Sequence, residues 1–261
     1  AAGPTHRKIV AMHAAGAVDT HGTHTAGTML GDAPPYGSYT GNDGMAYAAK
    51  LSFTNLDFIS SANLQSSLQA AHTDGARVHS NSWGNDATTS YTSHCQAIDA
   101  FSYANEDDLV CFAVSNGTTV KTPENAVNVL AVSASQDAPG QGSPCIGGIG
   151  PTADGGRKPE ILAPGCGTIS ADAGTACGVT AETGTSMACP AIAGAALLAR
   201  QYYTDGFYPS GIAVPEDART PSGALLKATL INAAVDMTGV TGYPSNGEGW
   251  GRLLLDNGLY F

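Results

Sequence analysis

The chain has 261 residues, 43% apolar and 13% charged, with 33 glycines, which excludes a disordered protein and allows one large α/β domain or two small ones. Lys plus Arg number 11 against 22 Asp plus Glu, a formal net charge of -11, and this acidic balance argues against nucleic acid and anionic membrane as partners. No apolar run approaches the roughly 20 residues of a membrane span.

No signal peptide opens the sequence. Six cysteines, at positions 95, 111, 145, 166, 177 and 189, form no C-x-x-C pair, which argues against a zinc ribbon. Cys166 and Cys177 flank a Gly-rich segment and are the first expectation for a disulfide. Cys111 lies in an apolar run and reads as a buried thiol.

In chain order, residues 8–12 read as a short strand. His21 then opens a helical segment running through Met29 and Leu30. His21 and His24, three apart, lack an H-E-x-x-H pattern or a third ligand, so metal binding is disfavoured. The pair reads either as a helix-start histidine with a packed neighbour, or as a general base, His21, at a helix N-terminus. Residues 32–45 form a turn-rich loop whose aspartates lack the spacing of an EF-hand. Residues 50–56 suggest a strand. Asn63 to Thr73 is an amphipathic helix with Leu64, Leu68 and Ala71 on one stripe and Gly75 as its stop.

Residues 77–84 read as a strand ending at a turn, and Cys95 to Asn105 as a second helix. Leu109 to Val114 is a continuous apolar run of the kind buried in parallel sheets. It ends at Ser115-Asn116-Gly117, which with Thr118 also matches a glycosylation sequon. Residues 127–134 are a further strand. Glu160 to Ala163 is a short one, ended by Pro164-Gly165. Ser222 to Val235 is a third long helix, and residues 205–220 look inserted. Strands alternating with helices indicate an α/β, doubly wound, mostly parallel sheet with helices on both faces, whose sites lie at strand carboxyl ends.

Gly184-Thr185-Ser186-Met187-Ala188-Cys189-Pro190 leads an Ala-rich apolar run that reads as a buried helix starting near Ser186. In its first turn a proline would lose little, because the first N–H groups have no helical partner. Ser186 there is either a cap or a nucleophile beside unpaired N–H groups. Cys189 is close by in a poorer context.

Four blocks weigh toward the nucleophile. His21-Gly22-Thr23-His24-Thr25-Ala26-Gly27, Asn81-Ser82-Trp83-Gly84, Ser115-Asn116-Gly117 and Gly184 to Pro190 resemble the subtilisin-like serine proteases, in that family's order and over essentially the whole chain. Gly150-Pro151-Thr152, Lys158-Pro159-Glu160, Ala163-Pro164-Gly165 and Gly249-Trp250-Gly251-Arg252 resemble a branch of larger secreted bacterial members. The resemblance implies a single subtilisin-like peptidase domain over residues 1–261. In it Ser186 is the nucleophile, His21 the general base and Asn116 the oxyanion donor. Ser82, Trp83 and Gly84 would pair with the substrate backbone, and with Ala113, Val114 and Ser115 would wall the pocket for the residue before the cut. His24 would be structural. The resemblance further implies secretion, a protein or peptide substrate, a monomer, no cofactor for the chemistry and structural calcium whose ligands the sequence does not place.

One departure stands out. The family's aspartate lies in an Asp-Thr/Ser-Gly turn roughly thirty residues before the histidine, and no such turn occurs here. Asp19 is too close to His21 to sit behind its imidazole. No catalytic aspartate is assigned. The expectation is an N-terminally incomplete domain lacking its first strand, with that strand and the aspartate upstream. The competing readings are a pseudoprotease that binds peptide without cleaving it, and a nucleotide-binding doubly wound protein, which lacks both G-x-G-x-x-G and G-x-x-x-x-G-K-[ST].

Overall fold

The computed structural model describes residues 2–14 and 16–261. In chain order the strands and α-helices are β1 (Ile9–His13), α1 (Thr20–Leu30), β2 (Leu51–Thr54), α2 (Leu64–Thr73), β3 (Val78–Asn81), α3 (Ser93–Ala104), β4 (Leu109–Ala113), β5 (Leu130–Gln136), β6 (Pro144–Ile146), β7 (Ile161–Ala171), β8 (Val179–Thr183), α4 (Thr185–Thr204), α5 (Gly223–Asn232), β9 (Ala234–Val235) and β10 (Arg252–Leu253). The main sheet runs β3-β4-β5-β7-β10-β9. Its central ladders are parallel, β9 is antiparallel, and β6 and β8 add antiparallel pairs to β5 and β7. β1 and β2 form a separate parallel pair.

The continuous apolar run of β4 is explained by burial on both faces. Leu109, Cys111 and Ala113 join the core formed with α1, α4 and α5, while Val110, Phe112 and Val114 join the core under α2 and α3. Alternate side chains point to opposite faces of a strand, so only a strand covered by helices on both sides tolerates such a run. α4 is the central helix. Its small residues Ala188, Ala193, Ala195, Ala196 and Ala199 are buried and let neighbours approach closely.

Four expectations are corrected. β7 does not stop at Ala163 but runs eleven residues to Ala171. Pro164 lies where one partner gives way to another: it faces Ser135 of β5, the ladder turns irregular just beyond, and from Cys166 the free edge pairs with β8. A proline is tolerated at such a changeover. The disulfide joins Cys145 to Cys166, not Cys166 to Cys177. The β7–β8 register sets Cys166 against Thr183 and Ala171 against Val179, leaving Cys177 exposed and free at the hairpin tip. Five strand rungs put it roughly 17 Å away, beyond the ~7 Å limit for a bridge. The last helix ends at Asn232, and Ala234–Val235 belong to β9. The strand expected at 127–134 is shifted to 130–136.

Candidate active site

α4 begins one residue before Ser186, with Gly184 as its N-cap. Asn116, in the loop after β4, lies across this start. Its Oδ1 accepts hydrogen bonds from Thr185 N at 3.0 Å and from Thr185 Oγ1 at 3.1 Å. The Thr185 hydroxyl also lies against the Val114 carbonyl. Because Oδ1 faces the Thr185 backbone N–H, which can only donate, the orientation of the amide follows, and Nδ2 is left without a hydrogen-bond partner among the described residues. A Cβ on Gly184 would stand 3.5 Å from that Nδ2. Ser186 is half-buried and Asn116 exposed, so a free amide donor and a serine hydroxyl share the entrance to a helix N-terminus.

Pro190 corrects a further expectation. It is the sixth helical residue, not part of the first turn. It therefore removes the N–H that would bond the Ser186 carbonyl. The Ser82 hydroxyl replaces it, donating to Ser186 O at 3.0 Å. This bond ties the end of β3 to the backbone of the candidate nucleophile. Cys189 has no such role: it is fully buried, and burial pushes its thiol up to about 11, so it is not a reactive thiolate.

His21 is the second residue of α1, exposed, after the N-cap Asp19. Asp19 accepts the Gly22 N–H at 2.8 Å, so its carboxylate serves the helix start and not the imidazole. Among the described residues, no carboxylate hydrogen-bonds or ion-pairs with His21. His24 is fully buried and its Nε2 donates to the Thr168 carbonyl at 2.9 Å, while Ser170 donates to the His24 carbonyl. These bonds dock α1 on β7. Gly27 must be glycine, because a Cβ there would come within 2.6 Å of Ser170 Oγ and 2.8 Å of Ala171 Cβ. The histidine block thus divides into a helix start, a buried anchor and a close-approach glycine.

A cavity of about 190 Å³ lies between the two sheets. Leu51, Phe53 and Thr54 of β2 line one side and Val78, Ser80 and Asn81 of β3 the other. Gly22, Thr25 and Ala26 of α1 close it from one face, and Leu64, Leu68 and Ala71 of α2 from the opposite face. β2 and β3 each present an edge that pairs with no strand among the described residues. Gly22, next to His21, and Ser82, bonded to Ser186, both line this cavity.

Of the residues expected to wall the pocket, Trp83, Ala113 and Val114 turn their side chains into the fold. Trp83 packs edge-on against Phe112 and His94, and its indole N–H donates to Asn81 Oδ1. Ala113 and Val114 are buried in the two cores. Gly84 is exposed and Ser115 half-buried. Glu124, which no sequence signal marked, reaches between the walls: its Oε1 accepts from Ser115 N at 3.0 Å and Lys121 N at 2.6 Å.

The cluster with a metal-like spacing is His72, Asp107 and Asp108. Arg77 and Arg200 already pair with Asp107, and His72 and His79 with Asp108. An oxygen-seeking cation would have to displace them, so this set does not fit calcium. The loop aspartates are likewise engaged. Asp43 accepts from Ala33 N and Thr40 N, and Asp32 is paired with Arg7.

The fold is thus that of an α/β protein whose doubly wound sheet presents a serine at the start of its central helix, beside the Asn116 amide. The profile of the subtilase family matches residues 8–251, and the chain belongs to that family. Among curated relatives, Serine protease/ABC transporter B family protein tagD of Dictyostelium discoideum is 28% identical over 364 aligned residues, covering 93% of this chain and 20% of that protein. Its counterpart tagB from the same organism is 36% identical over 144 residues, covering 42% of this chain and 8% of that protein. The chain spans about a fifth of tagD's length. Among solved structures, the prenylagaramide maturation protease PagA aligns with a TM-score of 0.71 at 22% identity, covering 95% of this chain and 85% of that one. Sphericase gives 0.68 at 24%, covering 91% and 78%. The PatG macrocyclase in complex with peptide gives 0.71 at 19%, covering 92% and 68%. These likenesses share the fold.

Proposed function

We propose that the chain is the catalytic core of a serine endopeptidase working through an acyl-enzyme. Ser186 Oγ attacks the scissile carbonyl carbon while His21 takes its proton. Asn116 Nδ2–H and the Ser186 N–H hold the oxyanion. His21 then returns the proton to the leaving amine, and water hydrolyses the ester by the same route reversed. The observation that carries this reading is the Thr185–Asn116 clamp, which leaves Nδ2 as the free end of an amide beside the helix start. Membership of the subtilase family supports it. The Cys145–Cys166 disulfide supports an oxidising, extracellular setting.

The imidazole still needs a carboxylate to fix its tautomer; in protease examples that group is worth about 10⁴-fold in rate. We place it on a further strand seated between β2 and β3, whichever polypeptide supplies that strand, because the cavity there is flanked by two strand edges and lies beside Gly22. The second reading is a pseudoprotease, favoured by the finding that no carboxylate bonds His21 among the described residues. A fluorophosphonate probe separates the two. Labelling of the full-length protein, abolished by Ser186→Ala, is the expected result. A full-length protein that refuses the probe refutes the enzyme.

A further inference from the structure

Glu124 reaches between the two segments expected to wall the substrate cleft, and half of its carboxylate is unused. The chain returns beneath the walls at Thr122, whose carbonyl accepts Asn85 N at 2.8 Å. Glu124 then turns back between them. Oε1 takes both backbone N–H groups, from Ser115 and Lys121. Oε2 points at the opposite wall, 3.5 Å from where a Cβ of Gly84 would stand. Glycine at 84 leaves that space open. The residue is 1% exposed, yet among the described residues Oε2 receives no hydrogen bond and no cationic side chain pairs with Glu124.

Other buried acids in the fold are treated differently. Glu160 is held by Lys158 and Lys227, and Asp108 by His72 and His79. Glu248 uses both oxygens, for Met237 N and Ser245 Oγ. Burial of a carboxylate with an idle oxygen is costly unless a partner arrives. Burial, and after it the charge of Asp86, keep the Glu124 carboxyl above its ordinary value even though backbone donors pull the other way. A cation brought to Oε2 removes that penalty.

We propose that Glu124 determines specificity: the substrate residue before the scissile bond is Lys or Arg, and its cation reaches Oε2 past Gly84. This deepens the peptidase reading and rests on it. A purely structural Glu124, anchoring the loop through Oε1, is the competing explanation. Glu124→Gln separates them, because Gln keeps an oxygen for Ser115 N and Lys121 N while replacing the anionic Oε2 by a neutral amide donor that cannot pair with a cation.

The test is peptide binding by the full-length Ser186→Ala protein, which needs no turnover. Two peptides are compared that differ only in Arg or Leu before the scissile bond. The Arg peptide is expected to bind at least tenfold more tightly. Glu124→Gln is expected to remove that preference by weakening the Arg peptide about tenfold and leaving the Leu peptide unchanged. Gly84→Ala, whose methyl fills the opening in van der Waals contact with Oε2 but leaves the carboxylate and its charge in place, is expected to weaken the Arg peptide too. Equal or tighter binding of the Leu peptide overturns the proposal. So does equal loss of both peptides in Glu124→Gln, the mark of a structural role. Binding of neither peptide overturns the peptidase reading itself.

Discussion

Replacing Ser82 by Ala removes the hydroxyl that stands in for the N–H Pro190 lacks. The Ser186 carbonyl is then half-buried with neither its helical donor nor its substitute. Leaving such an acceptor unpaired costs about 1–3 kcal/mol, and the partial exposure of this site favours the lower half of that range. Pro190→Ala restores an N–H at position 190. In that background the same Ser82→Ala change should cost almost nothing, because the helix supplies the bond itself. Pro190 is buried, so its own replacement also changes packing, and only the cycle of all four proteins isolates the link. We expect a coupling of about 1–2 kcal/mol between the two sites, with the double variant more stable than the sum of the singles. Urea unfolding at constant slope measures it. Effects that add within about 0.5 kcal/mol would show that Ser82 does not replace the missing helical bond.

Asn116→Asp keeps the acceptor for Thr185 N and Oγ1 but loses the Nδ2 donor. Its unfolding midpoint should hold, since an anion at a helix N-terminus is favourable. Its rate of phosphonylation by a fluorophosphonate should fall about 10²–10³-fold, and labelling at the parent rate would remove Asn116 from the oxyanion site. Glu160→Gln should destabilise by about 3–5 kcal/mol in urea, because it leaves the ammonium groups of Lys158 and Lys227 without their buried counter-charge; a loss under 1 kcal/mol would mean that the triad is not a buried charge network. Burial pulls Lys158 down to about 8 from its ordinary 10.5, against the opposing pull of Glu160. Between those values the unfolded chain therefore holds the extra proton, and stability should rise with pH across that window. The rise is read as the difference between the parent protein and Lys158→Met, and a flat difference from pH 8 to 10.5 would contradict it.

What could be read from the sequence was local or periodic. The run Leu109–Val114 announced a strand buried on both faces, and the spacing of Leu64 and Leu68 announced the buried stripe of α2. Ser186 and His21 were found at helix starts because small-residue turns and the absence of early helical partners leave a signature in the chain itself. The features that escaped depend on partners distant in sequence. Pro164 reads as a stop because proline usually ends a strand, and only the handover from β5 to β8 shows why it does not. Cys166 lies eleven positions from Cys177 in sequence, yet their strand and hairpin tip separate them, whereas β6 and β7, both paired with β5, bring Cys145 to Cys166. Ser82 and Glu124 carry no motif for the jobs they do. One is chosen by a proline 108 positions later, the other by the absence of a side chain at Gly84.

β3 is the element on which these observations converge. One edge of it is paired with β4, and the other lines the cavity. At its end Asn81 donates to the Cys111 carbonyl and accepts from Trp83, and the next residue, Ser82, grips the Ser186 carbonyl. A strand laid along the free edge of β3 would therefore order the segment that positions the serine as well as the flank of α1 that carries His21. Backbone pairing is cooperative along a strand and fixes its register. The cavity and the candidate nucleophile are then not two independent sites: filling the first restrains the backbone of the second through the Ser82 bond to Ser186 O, beside the contacts of Cys189 Sγ with Asn81 O and Ser80 Oγ. Removing the Ser82 bond with Ser82→Ala loosens that coupling at the Ser186 carbonyl itself, without altering either the cavity lining made by β2 or the Asn116 clamp.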